Sequence, residues 1–205
     1  TARNLVGVDR DGKEQPLAAP PREYALARLS PDGQRVAVSI GARQGQSDIW
    51  LYDLPRGALT RLTFQGDNDF PVWTPDGKRV AFRSTDAGKT TFSWVPVDGS
   101  GPPEPLATVD ASAAPYTWSP EGKLLAFRQS DAKGRDIWLM PAEGQRTPRR
   151  WMETQFDKQT PQFSPDGRWL AYVSGGGANF QVFVQAAPSA GAASAPGARW
   201  QVSVD

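Results

Sequence analysis

The side chains that could do chemistry in this chain are mainly carboxylates, amides and cations, because it contains no His and no Cys. Without His, the chain lacks the usual general base, the usual partner of a nucleophilic Ser and the commonest metal ligand. Without Cys, disulfides, thiolate metal sites and Cys nucleophiles are excluded. No G-x-S-x-G elbow, phosphate-binding loop or dinucleotide fingerprint occurs either. The sequence therefore predicts no enzymatic activity from this chain and no cofactor.

Three short polar clusters contain the candidate binding residues. They are Arg22 and Glu23; Asp67, Asn68 and Asp69; and Asp157 and Lys158. Clustered oxygen ligands would suit Ca²⁺, but no full ligand set appears at a known spacing, so we predict no metal site. Two interpretations stay open for these clusters: contact with a ligand, or charges that are simply solvated on loops. The second is the commoner role of such charges.

A sequence repeat predicts the turns and strands that must position these clusters. "LSPDGQRVAVSI", "WTPDGKRVAFRS", "WSPEGKLLAFRQ" and "FSPDGRWLAYVS" begin their turns at Ser30, Thr74, Ser119 and Ser164. Pro fixes φ at the second turn position and Gly supplies positive φ at the fourth. The turn residues are Pro31 and Gly33, Pro75 and Gly77, Pro120 and Gly122, and Pro165 and Gly167. These residues are explained by turn conformation, and we assign them a structural role.

The repeat length predicts the fold. A period of about 45 residues is typical of propeller blades. Each turn joins two strands, and the second strand carries an apolar-Ala-apolar run, as a strand buried on both faces requires. A third and a fourth strand follow in every repeat. We predict an all-β chain, a β-propeller of four-stranded antiparallel blades, with about four blades plus half a blade.

The predicted boundaries follow the same period. Residues 1–23 are assigned to the outer strands of a preceding blade, 24–65 to blade 1, 66–110 to blade 2, 111–154 to blade 3 and 155–205 to blade 4, all in one propeller. Residues 187–198 are predicted to be a loop between the outer strands of blade 4. Six Trp residues are expected at equivalent positions in the core between blades, with an exposed recognition patch as the alternative: Trp50, Trp73, Trp94, Trp118, Trp138 and Trp169.

The SPDG turn, the following strand, "DIWLYDL" and "RLTF" together resemble the TolB-type β-propeller repeat, which is related to WD-repeat blades. The opening segment resembles propeller domains of bacterial Ser/Thr kinases and TolB-like proteins. The resemblance implies a binding scaffold or sensor module, with a protein partner or small ligand at a channel mouth, in the periplasm or another extracytoplasmic compartment. The alternative is the gating propeller of a prolyl-oligopeptidase-like serine peptidase whose catalytic domain is elsewhere.

Charge and hydropathy limit the other partners. The formal net charge is +1, so nothing in the overall charge indicates nucleic acid. No run of 18 apolar residues occurs, so this chain is not expected to insert into a membrane. Four blades and a half leave open blade edges, so the chain is expected to be part of a larger ring or an open arc, and to self-associate through those edges.

Overall fold

The computed structural model describes residues 1–43, 46–151, 156–176, 179–188 and 198–203. All regular secondary structure in these ranges consists of β-strands. The same ranges contain no apolar helix of the length needed to span a membrane. The chain divides into two compact units, Thr1–Pro105 and Leu106–Asp205. Most of the predicted loop at residues 187–198 lies outside the described residues.

Within the described residues, four antiparallel sheets of four strands each confirm the predicted fold class, a propeller built of four-stranded blades. Blade 1 contains β3 (Tyr24–Leu29), β4 (Arg35–Arg43), β5 (Gln46–Asp53) and β6 (Ala58–Arg61). Blade 2 contains β7 (Asp67–Trp73), β8 (Arg79–Asp86), β9 (Lys89–Pro96) and β10 (Glu104–Thr108). Blade 3 contains β11 (Ala114–Trp118), β12 (Leu124–Asp131), β13 (Gly134–Pro141) and β14 (Arg149–Arg150). Blade 4 contains β15 (Asp157–Phe163), β16 (Trp169–Gly176), β17 (Asn179–Ala186) and β18 (Arg199–Gln201).

The repeated turn is held by its own side chains. In the first copy, the Ser30 hydroxyl donates to Asp32 at 2.5 Å and accepts the Arg35 N–H at 2.9 Å. Asp32 also accepts the N–H of Gln34. The four turn glycines have φ between 66° and 73°, as the pattern predicts. The turn therefore fixes the register between the first two strands of each blade.

Apolar side chains on facing sheets form the core of each unit. In the first unit, Ala37, Ile49 and Leu51 of blade 1 pack with Val80 and Phe82 of blade 2. In the second unit, the corresponding cluster contains Leu124, Ala126, Ile137, Leu139 and Trp151 with Phe163, Leu170 and Tyr172. Each blade is thus apolar on both faces, as its second strand predicts.

A two-stranded hairpin, β1 (Val6–Val8) and β2 (Glu14–Pro16), precedes blade 1. Leu5 and Ala19 join the cluster on the free face of blade 1, where Tyr24, Val38 and Tyr52 are buried. The N–H of Leu17 donates to the carbonyl of Leu5, as the N–H of Leu62 does to that of Ile49. The hairpin therefore covers this face of blade 1, and its assignment to the outer strands of a preceding blade stays a prediction.

The first strand of every blade contains a bulge that the sequence does not predict. The pairing register shifts between Ala25 and Arg28, and at the corresponding place in β7, β11 and β15. Leu26, Phe70 and Thr160 have φ near 50° inside three of these bulges. The bulge bends the strand and changes which side chains face the neighbouring blade.

The expectation for the six Trp residues is wrong for Trp94 and Trp169. Trp94 pairs with Ala81, whereas Trp138 pairs with Phe127, which stands one position later in its strand than the equivalent of Ala81. The third strand of blade 2 is therefore shifted by one residue relative to the third strand of blade 3. Trp169 is 36% exposed, and it lies edge-on to Trp200 with ring centroids 5.3 Å apart. Trp73 and Trp118 are buried as expected.

The first prediction concerns the turn glycines. Gly77→Val places a β-branched residue at a φ of 66°, and we expect it to lower the free energy of unfolding by about 1–3 kcal/mol. Thermal and denaturant unfolding measure the change. Gly77→Asn is the matched control and should cost less, because Asn tolerates this conformation. Equal stability of the Val variant and the parent would reject the backbone explanation.

The second prediction concerns acid stability. The Ser164 hydroxyl, the Arg168 N–H and the Arg168 side chain donate to Asp166 and lower its pKa from 3.8 to about 2. A carboxyl whose pKa is lower in the folded state stabilises the fold above its unfolded pKa, and this contribution is lost as pH falls from about 4 through about 2. Asp166→Asn should therefore reduce the difference between the thermal midpoints at about pH 6 and about pH 2.5.

Glu121 provides the control for this measurement. It takes the place of Asp in the third turn, and no side-chain hydrogen bond to it is present in the described part of the chain. Glu121→Gln removes a turn carboxylate that accepts no such hydrogen bond, and it should leave the thermal midpoint at about pH 6 close to that of the parent. An Asp166→Asn variant with an unchanged acid transition would contradict the role given to Asp166.

Candidate functional site

The candidate residues lie where the first strand of a blade begins. Because strands alternate in direction, the third strand of the preceding blade begins at the same end. Asp48 stands near the start of β5 and Asp136 near the start of β13. The structure brings each of these acidic residues against the first residues of the following blade.

In the first unit, the candidates of blade 2 are engaged with blade 1. Asp67 accepts the N–H of Ser47 at 2.9 Å. The Asn68 side chain is buried and donates to the Gln65 carbonyl at 2.8 Å and to Asp48 at 3.5 Å. Asp67 and Asn68 therefore link neighbouring blades through their side chains.

Asp69 points to a different partner within its own blade. The Arg83 guanidinium donates to both of its carboxylate oxygens, at 2.7 and 2.5 Å. Burial nevertheless raises the pKa of Asp69, with Arg83 opposing the rise and Asp67 adding to it. A raised pKa stabilises the fold below the usual value of 3.8, and this stabilisation is lost as pH rises through the folded-state pKa.

In the second unit, the candidates of blade 4 are engaged with blade 3 in the same way. Asp157 accepts the N–H of Arg135 at 2.9 Å. Lys158 is fully buried, and its ammonium donates to Asp136 at 2.6 Å and to the Phe156 carbonyl at 3.2 Å. Gly134 is required beside this contact, because a Cβ there would lie 2.4 Å from the Asp157 carboxylate.

A shared arrangement emerges from the two units, and we call it the aspartate clasp. Asp48 and Asp136 each bind an Arg from the fourth strand of their own blade, Arg61 at 2.5 Å and Arg150 at 3.0 Å. Each also accepts from the second residue of the next blade's first strand, Asn68 or Lys158. Sequence reasoning missed Asp48 and Asp136 as site residues. Their repeated "DIW" context was the signal that could have found them.

Arg22 and Glu23 lie in a different setting, a cleft of about 540 Å³ at the start of blade 1. The Arg22 guanidinium lies 5.1 Å from the centre of the Trp50 ring. Glu23 pairs with the amino group of Thr1 at 2.7 Å. The cleft is also lined by Asp48 and Arg61 of the clasp, by Gly66, and by Phe64. Phe64 is 68% exposed, and the Arg61 guanidinium lies 4.9 Å from its ring centre.

The chemistry available in this cleft is recognition. It offers two aromatic surfaces, two guanidinium groups and two carboxylates within one concave surface. Across the described residues, no group of three or more Asp and Glu side chains is placed to hold a metal ion. Arg–aromatic stacks and mixed charges are typical of sites that orient a ligand.

No family model matches the chain. A TolB protein of the Tol-Pal system from Anaeromyxobacter dehalogenans is 33% identical over 99 residues, which are 47% of this chain and 22% of that protein. The crystal structure of TolB from Acinetobacter baumannii aligns with a TM-score of 0.74 at 21% identity, covering 89% of this chain and 46% of that one. A prolyl endopeptidase structure aligns with a TM-score of 0.60 at 17% identity, covering 86% of this chain and 30% of that one.

These matches confirm the predicted resemblance: the chain is a TolB-like propeller in sequence and in fold. The likeness to the two crystal structures shows the fold alone, because both identities are low. The chain also spans less than half the length of either TolB relative.

The third prediction tests the aspartate clasp. Lys158→Met removes a buried cation and leaves Asp136 with Arg150 alone. We expect a loss of about 3 kcal/mol in the free energy of unfolding, the low end for breaking a buried pair, because one partner remains. Denaturant unfolding measures it. Lys123→Met, the same change at an exposed position, is the control and should alter stability little. Equal effects of both changes would mean that the clasp contributes no stability.

Proposed function

We propose that the chain is a non-catalytic binding module, and that its ligand occupies the blade 1 cleft lined by Arg22, Glu23, Trp50, Arg61 and Phe64. The observation that carries this proposal is the exposure of Phe64 beside two guanidinium groups in one concave surface. Exposed aromatic and Arg side chains dominate the energetics of many binding sites. A segment of a partner protein is the ligand that such a surface suits best.

The charges of the cleft support a polar component of recognition. Among the described residues, the guanidinium of Arg22 forms no ion pair, and it is held in place by stacking on Trp50. It is therefore available to a carboxylate of the ligand. Arg61 is already paired with Asp48, so its main contribution is to orient Phe64 and shape the wall of the cleft.

The remaining candidates act indirectly in this proposal. Asp67 and Asn68 hold the start of blade 2 against blade 1, which fixes one border of the cleft. Asp157 and Lys158 do the same for the pair formed by blades 3 and 4. A stable frame lets a loop residue such as Phe64 be presented with little loss of conformational entropy on binding.

The relatives support the class of partner and the compartment. The Anaeromyxobacter relative is named as a Tol-Pal system protein, which fits a protein partner in the bacterial envelope. We accordingly propose a periplasmic or other extracytoplasmic location and no catalytic activity. Association between copies of the chain through open blade edges stays a prediction.

The alternative function is the gating propeller of a serine peptidase, favoured by the structural likeness to a prolyl endopeptidase. A Ser–His–Asp triad cannot form within this chain, because it has no His. In the alternative, the blade 1 cleft would face substrate that is passing to a catalytic domain elsewhere. An α/β-hydrolase domain encoded in the same gene would favour the gating propeller over the binding module.

The fourth prediction tests the cleft with the full-length protein in its native cells. A photo-crosslinking amino acid replaces Phe64, and covalent adducts are identified by mass spectrometry. We expect one predominant protein adduct, reduced at least about tenfold by the second-site change Arg22→Glu, which reverses a charge that contacts the ligand.

The matched controls use sites outside the cleft. Arg10→Glu reverses an exposed charge in the β1–β2 turn and should leave the Phe64 adduct unchanged. The same crosslinker at Leu29, which is also exposed, should not give this adduct. An adduct that is insensitive to Arg22→Glu, or equal adducts from both probe positions, would reject the cleft as the binding site.

A further inference from the structure

We propose that a cavity between blades 1 and 2 binds a Trp side chain of a partner polypeptide. The cavity has a volume of about 410 Å³, and all of its lining residues belong to the first unit. Phe82 and Ser93 form its floor, Pro102 and Pro103 form one wall, and Phe64 stands at its mouth. We call it the blade 1–2 cavity. Phe64 also lines the blade 1 cleft, so the two concave surfaces adjoin.

Blade 2 lacks an aromatic side chain that the other three blades carry at one position of the third strand. The aromatic residues at this position are Trp50, Trp138 and Phe183, which pair with Val38, Phe127 and Tyr172 of the second strand. In blade 2, the residue that pairs with Phe82 is Ser93. The one-residue shift of this strand places Trp94 on the opposite face of the sheet, because successive side chains alternate between faces. There its indole N–H donates to Glu104 at 3.0 Å.

Blade 4 shows what an aromatic side chain does at this position. Phe183 packs against the core cluster of the second unit and stacks on Tyr172, with ring centroids 6.0 Å apart. In blade 2, Phe82 has the register of Tyr172, but the small side chain of Ser93 leaves the space above it to the cavity. A ring that enters the cavity from a partner would therefore lie on Phe82 as Phe183 lies on Tyr172.

The polar groups of the cavity favour an indole ring over a phenyl ring. A buried Trp usually donates its N–H to an acceptor. The Ser84 hydroxyl and the Asp86 carboxylate line the same side of the cavity. Within the described part of the chain, neither group accepts a hydrogen bond, so both are available as acceptors. Apolar surface from Phe64 and the two prolines would cover the rest of the ring.

The surroundings of the cavity favour a polypeptide as the source of the ring. A further concave surface of about 440 Å³ continues from Phe64 along Thr60 and Leu62 to the β9–β10 loop. Three adjoining concave surfaces of the first unit thus share one exposed aromatic side chain. A chain segment can occupy such an extended surface, whereas a single small ring occupies only the cavity. The polypeptide source therefore rests on the proposed function, while the cavity itself does not.

The fifth prediction concerns the missing aromatic side chain. Ser93→Phe gives blade 2 the residue type that blade 4 has at this position. The added ring should fill the cavity and raise the thermal midpoint by about 2–4 °C. Ala58→Phe adds the same ring at an exposed position of blade 1 and should leave the midpoint unchanged. A lower midpoint for Ser93→Phe would show that the space does not admit a ring, and it would reject the proposal.

Binding to the parent protein is measured with N-acetyltryptophanamide, which carries the indole ring on a peptide-like backbone. Titration followed by two-dimensional NMR should shift the backbone amide signals of Ser84 and Asp86. The affinity should be at least about tenfold higher than that of N-acetylleucinamide, because the ring stacks on aromatic side chains. Ser93→Phe should abolish these shifts, and Ala58→Phe should retain them. Equal affinities for the two amides, or shifts that persist in Ser93→Phe, would reject the cavity as an aromatic site.

Crosslinking from position 64 in cells separates this inference from the proposed function. Ser93→Phe should reduce the adduct at least about tenfold, because it removes the site of an aromatic anchor, and Ala58→Phe should not. An adduct that depends on Arg22 but is unaffected by Ser93→Phe would reject this inference and leave the proposed function intact. Binding of N-acetyltryptophanamide without any adduct would reject the proposed function, and with it the polypeptide source of the ring.

Discussion

The constraint on which this structure depends is that each blade is apolar on both faces. A sheet with Ala37 and Leu51 on one side and Val38 and Tyr52 on the other cannot leave either side in water at low cost. Every blade therefore needs a neighbour on each side. The chain meets this need by repetition, because the same register places Val80 and Phe82, or Leu170 and Tyr172, against the preceding blade.

Apolar faces alone would let adjacent blades slide, since the hydrophobic effect has little directionality. The aspartate clasp adds directional contacts that fix the relative position of adjacent blades. Asp136 is held by Arg150 of its own blade and by buried Lys158 of the next, so the two blades meet at one relative position. Asp48 with Arg61 and Asn68 serves the same purpose in the first unit with a neutral partner in place of the cation. Recognition and assembly share this edge, because the clasp residues Asp48 and Arg61 also line the proposed cleft.

The sequence was sufficient to predict the architecture because the determinants of a blade are local. Pro and Gly determine the conformation of the SPDG turn, and the alternating strands follow within twenty residues. The bulge at Leu26 or Phe70 could not be predicted in this way, because neither residue is of a type that indicates positive φ. The displaced Trp94 shows the same limit, since a one-residue change of register leaves the composition of a strand unaltered.

The candidate site was only partly predictable, and the reason is physical. Sequence patterns identify polar residues at the ends of strands, but they do not reveal whether a neighbour's backbone or side chain reaches them. Lys158 reads as a solvated loop charge and is fully buried, whereas Phe64 was not singled out by any sequence pattern and is largely exposed.

Both environments arise because position in a repeat decides burial more than residue type does. Blade 4 extends this principle. Its Val182 has the register of Ile137 in blade 3, and it is 36% exposed whereas Ile137 is fully buried. In a protein built from such units, burial therefore depends on the sheet that faces each side chain.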